Sequence, residues 1–351
     1  MSAPHAHPSP QIGDELDGRW RIVGVLGHGG HAVVWLGEHS TLGYPVAIKT
    51  LVPDPRTPLA ASQRARLAEE AVLGARIDHP SIARVIDVGA NHPRHPYSVT
   101  EFIDGDTLRA HLDRHWRLSV AQTVDLGRTL LAGLTALADA GVVHRDVKPS
   151  NIMLPMPGGP ATAKLIDLGV ARRIGPEYPE LCGEGVVVGT PAYMAPEQLR
   201  AHAVDARADL YALGVVLFEC LTGAAPRPPW FVERYLVDPT LEVELVPPVR
   251  TLRPDCPSWL ESIVRQATDP AQERRFASPA AMNEALGVLS ADLGLPEGHR
   301  AWSAHHLTVP PASERASSPT RRWSQPSAAP TRPMTLATAT AMSAGDAGFV
   351  R

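Results

Sequence analysis

At Gly105 the hydrophobic pattern changes period, and that change limits the folds open to this chain more than any other feature. Before it, short apolar runs rich in β-branched residues alternate with glycine: Trp20–Gly27, Ala32–His39 and Tyr44–Leu51. Such runs predict an antiparallel meander. Pro53 to Pro58 interrupts it, and Leu67, Ala71, Val72 and Ala75 then mark one helix over residues 60–77. "RVIDVGA" and "YSVTEFI" add two further strands. After Gly105, Val120, Val124, Gly127, Leu131, Leu134 and Ala138 recur at helical spacing until Gly141 ends the run. Residues 205–222 carry Leu210, Leu213, Leu217 and Leu221 on one face and Val216 and Cys220 on others, the pattern of a buried helix. Two more helices are predicted over 258–268 and 279–290. A strand-rich half followed by a helix-rich half gives an α+β fold of two lobes. The small antiparallel β lobe with one helix spans 18–103, and the larger, mainly α-helical lobe spans 104–293.

The ends read differently. Residues 1–17 are expected to be a disordered leader, Pro- and His-rich over their first part, with no basic-then-apolar signal pattern. Residues 294–351, dominated by Pro, Ser, Ala, Thr and Arg, offer too little apolar surface to offset their ordering entropy and are expected to be a disordered tail. The net charge of −4 gives no reason to expect a nucleic-acid partner. No run reaches the roughly 18 apolar residues of a membrane span. Cys182, Cys220 and Cys256 are sparse, odd in number and without metal-ligand spacing, which suits a reducing cytoplasm.

Four polar clusters interrupt the apolar pattern. Leu26 to Val34, "LGHGGHAVV", lies between two predicted strands, and Gly27 and Gly29 let backbone approach a phosphate with no side chain in the way. "VAIK" ends in Lys49, a cation inside an apolar strand that needs an anion if it is buried. Its alternatives are a solvent-facing edge position or a pair with Glu69 or Glu70 on the following helix. "HRDVKPSN" sets Asp146, Lys148 and Asn151 within six residues: a proton acceptor, a compact cation and an amide oxygen able to ligate a hard metal ion. "LIDLG" ends an apolar run with Asp167, where a carboxylate suits Mg²⁺ held against phosphate. Of 33 basic residues only Lys49, Lys148 and Lys164 are lysines. For the first two, a need for a compact ammonium in place of a guanidinium fork explains the choice. Lys164, outside these motifs, is assigned to chance.

Taken in order, the glycine-rich loop, VAIK, HRDVKPSN, DLG and APE resemble the eukaryotic-type protein kinase domain in its bacterial Ser/Thr branch, over residues 18–290. The resemblance implies a bilobal kinase fold that binds ATP with Mg²⁺ or Mn²⁺ and phosphorylates Ser/Thr hydroxyls of protein substrates in signal transduction. It implies that Leu26, Gly27, His28, Gly29, Gly30, His31, Ala32, Val33 and Val34 cover the nucleotide, with Ala47 beside it. Lys49 would hold the α- and β-phosphates, paired with Glu70. Thr100 would be the gatekeeper and Glu101 to Ile103 the hinge facing adenine. Asp146 would be the catalytic base, Lys148 the γ-phosphate stabiliser, and Asn151 and Asp167 the metal ligands. Glu197 would pair with Arg275, and Asp209 would brace the catalytic loop. Lys148-Pro149 and Thr190 of "GTPAY" resemble the Ser/Thr class. A homodimer for autophosphorylation is a further implied partner.

The sequence departs from the family in places. Ala32 replaces the third glycine, and Leu168 replaces the Phe of DFG. Between Asp167 and Thr190 there is no Ser or Thr, which leaves Tyr178, Thr190 and Tyr193 as acceptor candidates and predicts activity without Ser/Thr phosphorylation over residues 168–189; one of Glu177, Glu180 and Glu184 would partly replace a phosphate. Tail residues Thr308, Ser313, Ser317, Ser318, Thr320, Ser324 and Ser327 are candidate phosphorylation or docking sites. The alternative functions are a pseudokinase scaffold acting through the tail and a small-molecule phosphotransferase; the second is disfavoured because HRDVKPSN and APE occur together.

Overall fold

The computed structural model describes residues 10–28, 32–51, 61–92, 95–155, 162–168, 172–173, 191–200, 202–225, 227 and 246–291. Six antiparallel strands form the first sheet: β1 (Glu15–Leu16), β2 (Trp20–His28), β3 (Ala32–His39), β4 (Pro45–Leu51), β5 (Val85–Gly89) and β6 (Tyr97–Glu101), in the order β1-β2-β3-β4-β6-β5. Strand alternation turns Trp20, Ile22, Val33, Trp35, Val46, Ile48, Tyr97 and Val99 into one core. A polar pair inside it is satisfied, because Trp35 Nε1 donates to Thr50 Oγ1 at 2.8 Å. Helix α1 (Ala61–Gly74) packs on β5 and stops earlier than the apolar stripe suggested.

The folded region begins before residue 18. Leu16 is 1% exposed and pairs with Trp20 across a hairpin, and Tyr97 Oη donates to Asp17 Oδ2 at 2.6 Å. Asp17 and Gly18 both take positive φ there. The Asp-Gly pair is a hairpin signal, so the Pro/His-rich composition that suggested a leader does not extend through these residues.

The second lobe opens with β7 (Gly105–Thr107) and α2 (Leu108–His115), then α3 (Val120–Asp139). Helix α3 starts on a capping box in which Ser119 Oγ accepts from Gln122 N at 3.1 Å and Gln122 Oε1 accepts from Ser119 N at 2.9 Å. Gly141, at φ +68°, turns the chain out of it. Next come β8 (Val142–Val143), a 3₁₀ turn (Pro149–Asn151), β9 (Ile152–Pro155), β10 (Lys164–Leu165) and β11 (Arg172–Arg173). β9 lies between β10 and β7, and β11 pairs with β8. Four further helices follow: α4 (Pro196–Leu199), α5 (Arg207–Thr222), α6 (Val249–Leu252) and α7 (Ser258–Ala267). A 3₁₀ turn (Gln272–Arg274) and α8 (Pro279–Ala291) complete the described part. α5 is buried from Ala208 through Thr222, as its all-round apolar pattern predicted. The lobes are joined by backbone as well as by the hinge segment: Leu165 N donates to Ser81 O and Ala83 N to Leu165 O, each at 2.8 Å.

Candidate active site

A cleft of about 730 Å³ runs between the lobes, within the usual range for a small-molecule site. Its walls include Leu26, Gly27, His28 and Val34 from β2 and β3, Ala47 and Lys49 from β4, and Thr100, Glu101 and Ile103 at the end of β6. From the second lobe come Lys148, Asn151 and Asp167. Gly29, Gly30 and His31 lie outside the described residues, as do the side chain of Glu70, the segment 174–190 with Glu177, Glu180, Glu184 and Thr190, and the tail sites. Two assignments need correction. Val33 faces away from the cleft into the sheet core, 6% exposed beside Trp35, because neighbouring strand residues point to opposite faces. Ala32 sits at the start of β3 opposite Leu51 and does not line the cleft.

The same alternation explains Lys49. Ile48 is 0% and Thr50 1% exposed on the core face, so Lys49 between them points to the cleft. There its Nζ lies 2.5 Å from Asp167 Oδ1, a contact spanning 118 positions in sequence. Asp167 has φ +64°, a left-handed backbone that a non-glycine residue adopts only when its surroundings hold it.

On the opposite wall, Lys148 Nζ stands 2.6 Å from Asp146 Oδ2. Asn151 Nδ2 donates to the same Oδ2 at 2.9 Å and to Asp146 O at 3.0 Å. The Asp146 side chain is 10% exposed. The loop carrying it is pinned from beneath. Asp209 at the start of α5 accepts from His144 N and Arg145 N, both at 2.8 Å. Gln198 Nε2 donates to Arg145 O at 2.9 Å. Burial pushes the Asp209 carboxyl above the usual carboxylate range, while the two backbone N–H groups and His144 pull the other way. Arg145 takes φ +66°, so both chemistry-bearing loops carry one strained residue next to, or at, their working carboxylate.

Among the described residues no three His, Cys, Asp or Glu side chains gather into a metal cage. The donor set present is nonetheless one that Mg²⁺ accepts, since that ion takes one or two protein oxygens and fills its shell with phosphate and water. Asp167 supplies a carboxylate, and with Asn151 Nδ2 engaged by Asp146, the amide Oδ1 is left as the second oxygen.

Glu197 and Arg275 meet as expected, in a two-pronged ion pair at 2.7 and 2.8 Å. Sequence reasoning missed two other pairings. Lys164 Nζ lies 2.7 Å from Glu101 Oε1 at the cleft edge. Glu219, buried at the end of α5, accepts from Arg109 Nη1 at 2.6 Å and from Tyr193 Oη at 2.7 Å. The only sequence signal for the first was the choice of lysine itself.

The model of the protein kinase domain family matches residues 20–283. The serine/threonine-protein kinase Pkn1 of Myxococcus xanthus is 37% identical over 276 residues, covering 78% of this chain and 39% of that protein. The probable serine/threonine-protein kinase SCO3848 of Streptomyces coelicolor is 39% identical over 215 residues, 60% of this chain and 31% of the relative. PknL of Mycobacterium tuberculosis, a serine/threonine-protein kinase, is 33% identical over 288 residues, 80% of this chain and 68% of the relative. The chain thus spans less than two fifths of the length of the first two and about two thirds of the last.

Proposed function

The chain belongs to the protein kinase family, and we propose that it transfers the γ-phosphoryl group of ATP to Ser or Thr hydroxyls of proteins. One observation carries this reading. Lys49, Lys148, Asn151 and Asp167, drawn from both lobes, line one cleft, and Asp146 is bonded to two of them, Lys148 and Asn151.

In this reading Glu101 to Ile103 receive the adenine edge and Lys49 the α- and β-phosphates. The acceptor hydroxyl oxygen attacks the γ-phosphorus, the bond to the ADP oxygen breaks, and Asp146 takes the hydroxyl proton. Lys148, already against Asp146, lies where it neutralises charge on the transferring group. Asp167 and Asn151 would hold Mg²⁺ or Mn²⁺, which supplies charge neutralisation on the phosphate oxygens. A second copy of the chain, met in a transient homodimer, is part of the proposal as an acceptor. Two cysteines, Cys220 and Cys256, are free and buried, and an ATP-dependent role with reduced thiols fits the cytoplasm. No described helix is long and apolar enough to cross a membrane.

The pseudokinase alternative is disfavoured because Lys49, Lys148, Asn151 and Asp167 line the cleft and Asp146 is bonded to Lys148 and Asn151. The test is transfer of label from radioactive ATP with Mg²⁺ to a generic basic protein. Asp146→Asn should lower the rate by roughly 10²–10⁴-fold, the usual worth of a general base, with an unchanged melting temperature. Wild-type protein that labels no polypeptide would end this reading.

A further inference from the structure

All three lysines of this arginine-rich chain make ion pairs with cleft acids. Lys49 and Lys148 face the phosphate end. Lys164, on β10 three positions before Asp167, reaches the opposite end and places Nζ 2.7 Å from Glu101 Oε1. The pair is largely enclosed, with 12% and 26% of the two side chains exposed.

Three chain segments meet at this pair. Glu101 ends β6 and leads directly into the cleft wall at Phe102 and Ile103. Its Oε1 also accepts from Arg84 N at 2.8 Å, and its own N donates to Arg84 O at 3.0 Å. Arg84 in turn follows the segment 81–83, which runs parallel to β10 and bonds Leu165 on both sides. Lys164 therefore closes a ring: hinge carboxylate, crossing segment, and the strand that delivers Asp167. Without the ammonium, Glu101 keeps only its contact within the first lobe.

We propose that Lys164 is a positioning residue, which holds the hinge edge of the cleft at a set distance from Asp167 and so matches the site to a nucleotide bound at both ends. The inference rests on the kinase reading above. It also accounts for lysine at this place: an ammonium bonds a carboxylate inside a narrow enclosed gap, where a planar guanidinium fork needs more width.

The measurement is a double-mutant cycle of Lys164→Met and Glu101→Gln, chosen because glutamine still accepts from Arg84 N. ADP and ATP·Mg binding are read by calorimetry, alongside KM for ATP and for the acceptor. Each single change should weaken nucleotide binding about three- to fivefold, the upper range for a partly exposed ion pair. ATP KM should rise in parallel, while in Lys164→Met acceptor KM and kcat stay within about twofold. The double variant should bind no more weakly than the worse single, because the two side chains act as one unit. Wild-type nucleotide affinity in Lys164→Met, or additive losses in the double, overturns the proposal. So does a fall in melting temperature with ATP and acceptor KM rising together, which marks a purely structural pair. Should Lys164→Met not fold, Glu101→Gln reads the same link from its other side. Wild-type protein that binds ADP but transfers no phosphate sinks the kinase reading and leaves the binding cycle to decide this one.

Discussion

Arg275→Met should be the most destabilising single change in the second lobe outside its apolar core. The Arg275 side chain is 0% and that of Glu197 6% exposed. Besides the paired bonds to Glu197, the guanidinium donates from Nε to Asp269 O at 2.8 Å and from Nη1 to Arg207 O at 3.0 Å. Its Cζ lies 4.8 Å from the centre of the Tyr211 ring. Methionine conserves much of the volume, so the cost is electrostatic: a buried carboxylate loses its counter-ion and carbonyls lose their donors. Breaking one side of such a pair costs about 3–5 kcal/mol. At roughly 2–4 °C per kcal/mol for a domain of this size, the melting temperature falls by about 6–20 °C. Arg275→Lys keeps the charge but one ammonium cannot reach all these acceptors, so about half the loss should remain. The assay is thermal and urea denaturation followed by circular dichroism. An Arg275→Met variant melting within about 2 °C of wild type would refute the reasoning, because it would mean the pair contributes no more than a surface one.

Three more outcomes follow from other sites. Tyr193→Phe strips one donor from buried Glu219 and should cost about 1–3 kcal/mol in urea melts. His111 is held at a pKa of about 4, against 6.5 in the unfolded chain, first by burial and then by His115 and Arg114, with Asp106 opposing. A depressed histidine contributes stability above the unfolded value, so the urea midpoint should drop as pH falls from 6.5 toward 4, and His111→Gln should flatten that slope. Leu168→Phe, which would restore the family's aromatic, should lower stability by about 1–3 kcal/mol in urea melts, because a methyl built on Gly74 of α1 would already lie 3.2 Å from Leu168 Cδ1.

How far the sequence could be read depends on how local each feature is. β3 was legible to its ends, Ala32–His39, because alternation and flanking glycine are properties of adjacent residues. The ladders β7 to β11 are two to four residues long, too short to carry a period; of them the sequence marks only the apolar run before Asp167, where β10 lies. Helix α2, "LRAHLDRH", has few apolar residues and only its N-cap, Thr107 accepting from Ala110 N at 3.1 Å, announces it. β1 was hidden by the composition of its neighbours, although Asp17-Gly18 carried the turn signal.

The site divides the same way. Asp146, Lys148 and Asn151 fall in one short segment, so residue type and spacing are enough to group them. Val33 was misassigned because membership of a motif says nothing about which strand face a residue takes. The pairings that escaped are those with distant partners: Lys164 with Glu101 across 63 positions, and Arg109 with Glu219 across 110. Nothing local distinguishes a paired surface arginine from a free one, so Arg109 left no trace. Lys164 did, because in a chain that otherwise uses arginine, a lysine reports an environment that a guanidinium does not suit. Composition bias, ordinarily a source of noise, thus becomes a contact signal wherever the chain departs from its own habit.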